Sequence, residues 1–164
     1  MKRGIALFVC LIMLASSQAQ VRQDYRKKSA PIPPFTIEHP NGKEFSNSVL
    51  KAGKPVLLAI FSPQCDHCAL ALDTLQQFGS SLHNTSLILV AEARNKPYLK
   101  LFLAQHGFDT AAEFRHIGTD KGNLIYDIYN YGLLPQFNIY NAQHKLVKSF
   151  SGVFPMDSLK MYLH

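Results

Sequence analysis

Two apolar runs, Val56 to Phe61 (VLLAIF) and Leu87 to Ala91 (LILVA), contain no polar residue. Unbroken runs of this length suit central strands buried on both faces. Between them Leu72, Leu75, Phe78 and Leu82 recur at steps of three and four, the stripe of an amphipathic helix. Lys96 to His106 repeats the helical pattern, with Tyr98, Leu99, Phe102 and Leu103 apolar and Gly107 as its stop. Phe114 to Gly118 predicts a short strand. Leu124 to Tyr131 predicts another helix, against its β-branched and aromatic content.

The flanks read differently. Phe35 to His39 alternates apolar and polar residues and ends at Pro40-Asn41-Gly42-Lys43, where Asn-Gly signals a turn. Lys43 to Lys51 predicts a short amphipathic stretch with Phe45, Val49 and Leu50 on one side. Near the end, Phe137 to Tyr140 and Leu146 to Phe150 flank a turn at residues 141–144 and predict an antiparallel hairpin. Met156 to Leu163 predicts a last amphipathic helix. The expected class is α/β: a mixed central sheet with a parallel βαβ core and a C-terminal antiparallel hairpin, flanked by helices.

The N-terminus obeys another logic. Lys2 and Arg3 precede the eleven-residue apolar run Ile5 to Ala15, and small residues stand at Ser17 and Ala19. This is the layout of a secretory signal peptide over residues 1–19, with cleavage after Ala19. A membrane span needs about 20 apolar residues, roughly twice this run, which favours cleavage over the alternative of an uncleaved anchor. Cys10 falls within the discarded run. Residues 20–34 (QVRQDYRKKSAPIPP) are polar, basic and proline-rich and read as a flexible linker, leaving 35–164 as the domain. Arg26-Lys27-Lys28 reads as a solvated basic segment, with contact to anionic lipid as the alternative.

The length of 164 residues allows one domain, and 47% hydrophobic with 17% charged residues excludes wholesale disorder. The net charge of +6 falls to +4 once Lys2 and Arg3 are removed. That excess is too small and too scattered for a nucleic-acid binder. An exported chain is expected to be periplasmic or otherwise outside the cytoplasm, where disulfides form.

Cleavage leaves two cysteines, Cys65 and Cys68, in Phe61-Ser62-Pro63-Gln64-Cys65-Asp66-His67-Cys68. A disulfide closing so short a loop removes little chain entropy and makes a poor staple. The pair lies between a buried strand and a helix. Cys65 falls at the helix N-terminus, where unpaired N–H groups and the positive dipole end favour a thiolate. The thiolate is the nucleophile of thiol–disulfide exchange. Cys68, one turn on, can meet it, so Cys65 attacks a substrate sulfur and Cys68 resolves the mixed disulfide. A zinc site lacks a second cysteine pair, so no metal and no cofactor are expected. A structural disulfide, a copper relay using Cys65, Cys68 and His67, and a peroxidase remain as alternatives.

These features resemble the exported TlpA/ResA-like (redoxin) thiol–disulfide oxidoreductases of the thioredoxin fold. The resemblance runs over roughly Phe35 to Leu163. It is carried by GKPVLLAIFSPQCDHC and by LLPQFNIY, followed by LVKSFSG and the final helix. It implies a thioredoxin-like fold, catalytic Cys65 and Cys68, and a cis bond at Pro135 beside them. As an ordinary X–Pro bond, Pro135 would be trans. The resemblance further implies that Leu134 offers backbone groups to a substrate peptide by strand addition. His67, before the second cysteine, resembles the pattern of strong exported thiol oxidases and of protein disulfide isomerase. A cation there favours the Cys65 thiolate and a more oxidising pair, while Asp66 opposes it.

Three departures stand out. Gln64 replaces the tryptophan usual before the first cysteine. The buried acid of thioredoxin falls at the apolar Ala59, with Glu92 as a substitute from the neighbouring strand. Ser62 replaces the threonine that a peroxiredoxin carries three residues before its reactive cysteine. Tyr126, Tyr129, Tyr131, Phe137 and Tyr140 are read as core or as a substrate groove. The partners expected are protein thiols and disulfides and an upstream redox donor or acceptor, with the membrane involved only through an uncleaved signal, and the chain a monomer.

Overall fold

The computed structural model describes residues 23–78, 82–108, 115–152, 159, 161 and 162. The signal-peptide reading of residues 1–19 therefore lies outside the described residues, as does most of the helix expected from Met156. Seven strands form one sheet: β1 (Thr36–Glu38), β2 (Glu44–Ser46), β3 (Val56–Phe61), β4 (Ser86–Glu92), β5 (Arg115–Asp120), β6 (Gln136–Tyr140) and β7 (Leu146–Ser151). Their spatial order is β2-β1-β5-β4-β3-β6-β7. Among the described residues the helices α1 (Asp66–Gln77), α2 (Lys96–Gln105) and α3 (Leu124–Tyr129) accompany them, and residues 159, 161 and 162 are also helical.

The two wholly apolar runs are the centre. β3 pairs parallel with β4 and β4 parallel with β5, while β6 returns antiparallel on the other side of β3 and carries β7. Every residue of β3 is buried, because both faces are covered. Alternate residues divide between two cores. Leu57, Ala59 and Phe61 pack with Leu72 and Leu75 of α1 and Phe102 of α2. Val56, Leu58 and Ile60 pack with Phe35, Ile125 and Tyr129 on the opposite face. Burying each of these large side chains stabilises the fold by about 1.5–3 kcal/mol.

Gly118 in β5 has a packing reason. A Cβ there would lie 2.5 Å from the Glu38 carbonyl oxygen, so β1 and β5 approach as closely as glycine permits. β5 also runs two residues past the predicted strand. Its last residue, Asp120, is buried because its carboxylate accepts from the backbone N–H groups of Gly122 (3.3 Å) and Ile125 (2.6 Å), tying the strand end to α3.

Three sequence expectations change. Residues 43–51 are not one amphipathic stretch: β2 gives way to a 3₁₀ turn at Asn47–Val49. The Asn47 side chain accepts from the Phe35 N–H (3.0 Å) and donates to the Pro33 carbonyl (2.9 Å). That turns the chain, so Phe45 stays buried while Val49 is 68% exposed. Next, the part of the supposed flexible linker from Ser29 to Ile32 is docked. Ser29 N–H donates to Leu146 O (2.8 Å), Leu146 N–H to Ala30 O (2.7 Å) and Ile32 N–H to His144 O (3.2 Å). Composition does not reveal this because the bonds are backbone bonds. Last, α3 stops at Tyr129, where Asn130 turns left-handed (φ 45°).

Candidate active site

β3 ends at Phe61, and α1 begins five residues later. Cys65 is the N-cap of α1: its backbone is extended (φ −117°, ψ 112°), and its Sγ accepts from the backbone N–H of Cys68 at 3.2 Å. A free helix N-terminus carries unpaired donors and partial positive charge. Here that donor is aimed at sulfur. Both cysteines are free thiols; Cys65 is half-buried and Cys68 fully buried. Burial pushes the Cys68 thiol well above its ordinary range, and its hydrogen-bonded neighbour Cys65 adds to the shift.

The Leu134–Pro135 peptide is cis, the isomer the resemblance implied. Pro135 is buried ahead of β6, and the Cys65 thiol faces the Leu134 carbonyl oxygen at 4.0 Å. Among the described residues the Leu134 N–H makes no backbone hydrogen bond. The chain thus brings Cys65, Cys68, Leu134 and Pro135 together from two segments 69 residues apart. Asp66 and His67 stand exposed on the first turn of α1, and no ion pair joins them among the described residues.

A groove of about 360 Å³ continues from this point. Leu70, Ala71 and Thr74 of α1 form one wall, Leu133 and Leu134 another, with His67 at the rim. Leu70 is 68% and Leu133 66% exposed. Sequence reading missed this groove. Its signal was Leu70, an apolar residue standing off the Leu72–Leu75 stripe.

Other expected residues lie elsewhere. Tyr129 and Tyr140 are buried in the core on the α3 face, their hydroxyls hydrogen-bonded to each other, and Phe137 is buried in the core under α1. They are core residues, not groove residues. Tyr126 is half-exposed and meets Tyr131 edge-on at 5.2 Å. Glu92, at the end of β4, accepts from the Tyr131 hydroxyl (2.6 Å) and pairs with Arg94 (2.6 Å). It touches neither sulfur among the described contacts, so its carboxylate is bound into a local bracket. Ala59 is buried and apolar, and the described residues place no acid there. Ser62 Oγ accepts from the Gln64 N–H at 3.2 Å, shaping the loop ahead of Cys65. No three His, Cys, Asp or Glu side chains converge among the described residues.

No family model matches the chain, and no curated protein matches it. Solved structures do. A secreted Mycobacterium tuberculosis disulfide oxidoreductase homologous to E. coli DsbE shares 20% identity, with 79% of this chain and 93% of that one covered and a TM-score of 0.65. A thiol:disulfide interchange protein DsbE from Chlorobium tepidum shares 20% over 83% and 94%, with a TM-score of 0.68. StoA from Bacillus subtilis shares 17% over 83% and 99%, with a TM-score of 0.64. At these identities the likeness establishes the fold, which is the thioredoxin fold.

Proposed function

We propose that this chain is a thiol–disulfide oxidoreductase that exchanges disulfides with protein cysteines through Cys65 and Cys68. One observation carries the reading: the Cys65 sulfur caps α1, with the Cys68 N–H aimed at it over 3.2 Å and the Leu134 carbonyl beside it. The solved structures named above as disulfide oxidoreductases or interchange proteins support the same chemistry.

The steps balance. The Cys65 thiolate attacks one sulfur of a substrate disulfide, forming a mixed disulfide and releasing the other substrate sulfur as a thiolate. Cys68 then gives its proton to solvent or to that thiolate and attacks Cys65 Sγ. The substrate leaves as a dithiol and the protein is oxidised to a Cys65–Cys68 disulfide. Read backwards, the same steps oxidise a substrate dithiol. The buried, raised Cys68 thiol keeps its proton until the mixed disulfide forms, which leaves Cys65 to attack first.

Leu134 and Pro135 bind the substrate backbone in this reading, and the groove beyond Leu134 takes its apolar flank. Asp66 and His67 tune the pair by charge. Residues 1–19 direct the chain to the periplasm or beyond and are removed after Ala19. The test is turnover of a disulfide peptide with glutathione as the reductant. Cys65→Ser should abolish it, and Cys68→Ser should accumulate a peptide–protein mixed disulfide. Full turnover by Cys65→Ser would overturn the assignment.

A further inference from the structure

At the pole of the sheet opposite Cys65, cations collect in excess, with Asp24 among them. The start of β3, the β6–β7 turn and the N-terminal segment are bonded together there. Gly53 N–H donates to Ala142 O (3.1 Å), Ile32 N–H to His144 O (3.2 Å), and Pro31 bridges to Lys145. This arrangement places Lys27, Lys28, Lys51, Lys54 and Lys145 at one end of the molecule, all exposed and none in an ion pair among the described residues. Arg26 joins them, paired with Asp24. Elsewhere Arg94, Lys96 and Lys121 are each bound to a glutamate, while Lys43, Lys100 and Lys148 are exposed without an ion pair among the described residues. β3 separates the basic pole from the cysteine loop by about 20 Å at 3.3 Å per residue.

The same pole carries apolar surface. A cleft of about 440 Å³ is walled by Phe45, Val49 and Leu50, with Lys51 and Lys54 among its lining residues. Val49 is 68% exposed there. Cations around an exposed apolar residue suit the boundary of a lipid layer, where the charges meet headgroup phosphates and the apolar side chain meets the acyl edge.

We infer that this basic pole docks on an anionic phospholipid surface and turns the Cys65 end away from it. The partner is the lipid headgroup layer, because the patch combines exposed lysines outside any ion pair with an exposed apolar residue. The inference is independent of the cysteine chemistry.

Lysine acylation footprinting of the full chain tests it, read by mass spectrometry. Vesicles of phosphatidylcholine containing a minority of phosphatidylglycerol are compared with vesicles of phosphatidylcholine alone. Labelling of Lys27, Lys28, Lys51, Lys54 and Lys145 should fall severalfold on the anionic vesicles only and recover in high salt. Labelling of Lys96, Lys100 and Lys121 should not change. The double variant Lys51→Glu/Lys54→Glu, checked for an unchanged melting temperature, should restore labelling at Lys27, Lys28 and Lys145. Equal labelling on both vesicles, protection spread over all lysines, or protection without lipid through contacts with protein would each overturn it.

Discussion

The backbone N–H of Cys68 donates to the Sγ of Cys65 over 3.2 Å, so the more exposed sulfur of the pair is also the cap of its own helix. Chemistry and helix start are therefore joined in one atom, and substitutions can separate them. Serine is a good N-cap, while alanine in place of a capping side chain costs about 1 kcal/mol. Cys65→Ser and Cys65→Ala should both lose disulfide exchange. Urea denaturation of the reduced proteins should find the serine variant near wild type and the alanine variant about 1 kcal/mol less stable. Equal stabilities would mean that the sulfur cap contributes nothing.

The groove beyond Leu134 makes a prediction about selectivity. Leu70 and Leu133 face it from α1 and from the proline loop, and both are largely exposed. Exposed leucines beside a reactive sulfur gain burial only when a substrate covers them. Leu70→Ser with Leu133→Ser should lower kcat/KM severalfold for a disulfide peptide with a large apolar residue beside its cysteine. A peptide with serine at that place should be little affected, and the reaction with glutathione unchanged. Equal losses on both peptides would show that the groove does not read the flank.

Gly118 tests the packing of β1 on β5. A methyl group added at this position would come within 2.5 Å of the Glu38 carbonyl oxygen, which leaves no room without strand displacement. Gly118→Ala should destabilise the protein by about 1–3 kcal/mol, the range for overpacking. The measurement is a denaturant midpoint shift at unchanged slope. A neutral substitution would mean that β1 moves away freely.

The strands and the cysteine pair were legible because their signals are local. VLLAIF and LILVA need no context to read as buried strands, and C-x-x-C after a strand points to thiol–disulfide chemistry within a single short segment. The groove was not legible, since Leu70, Leu133 and Gly152 meet only through the fold. The tyrosines read as core or as groove, and what decides between the two is likewise not local. Tyr129 and Tyr140 lie close in sequence to Pro135, yet Tyr140 follows the alternation of β6 onto the face that α3 covers, where Tyr129 meets it. Distance along the chain said nothing about the side of the sheet. The docking of Ser29 to Ile32 left no trace in composition because backbone groups make its bonds.

His116 supplies the pH prediction. Its ring stacks on Phe45 with centroids 3.6 Å apart, and His39, whose Nδ1 donates to the Ile117 carbonyl, lies 6.0 Å away. Lys51 and Lys54 line the same cleft. Burial first, and the neighbouring His39 second, bring the His116 pKa down from 6.5 to about 4. Above pH 6.5 the imidazole is neutral both folded and unfolded, and the full stability is present. As pH falls from 6.5 towards 4, the unfolded chain takes up a proton that the folded chain refuses, so stability is lost. The whole shift would correspond to about 3 kcal/mol, and the partial exposure of the ring reduces this to roughly 1–2 kcal/mol. Urea unfolding of wild type and of His116→Gln from about pH 7 to about pH 4 isolates it, because the carboxylates titrate alike in both. The wild type should lose about 1–2 kcal/mol more than the variant over that interval. Parallel pH profiles would show that the stacked ring takes its proton freely in the folded state.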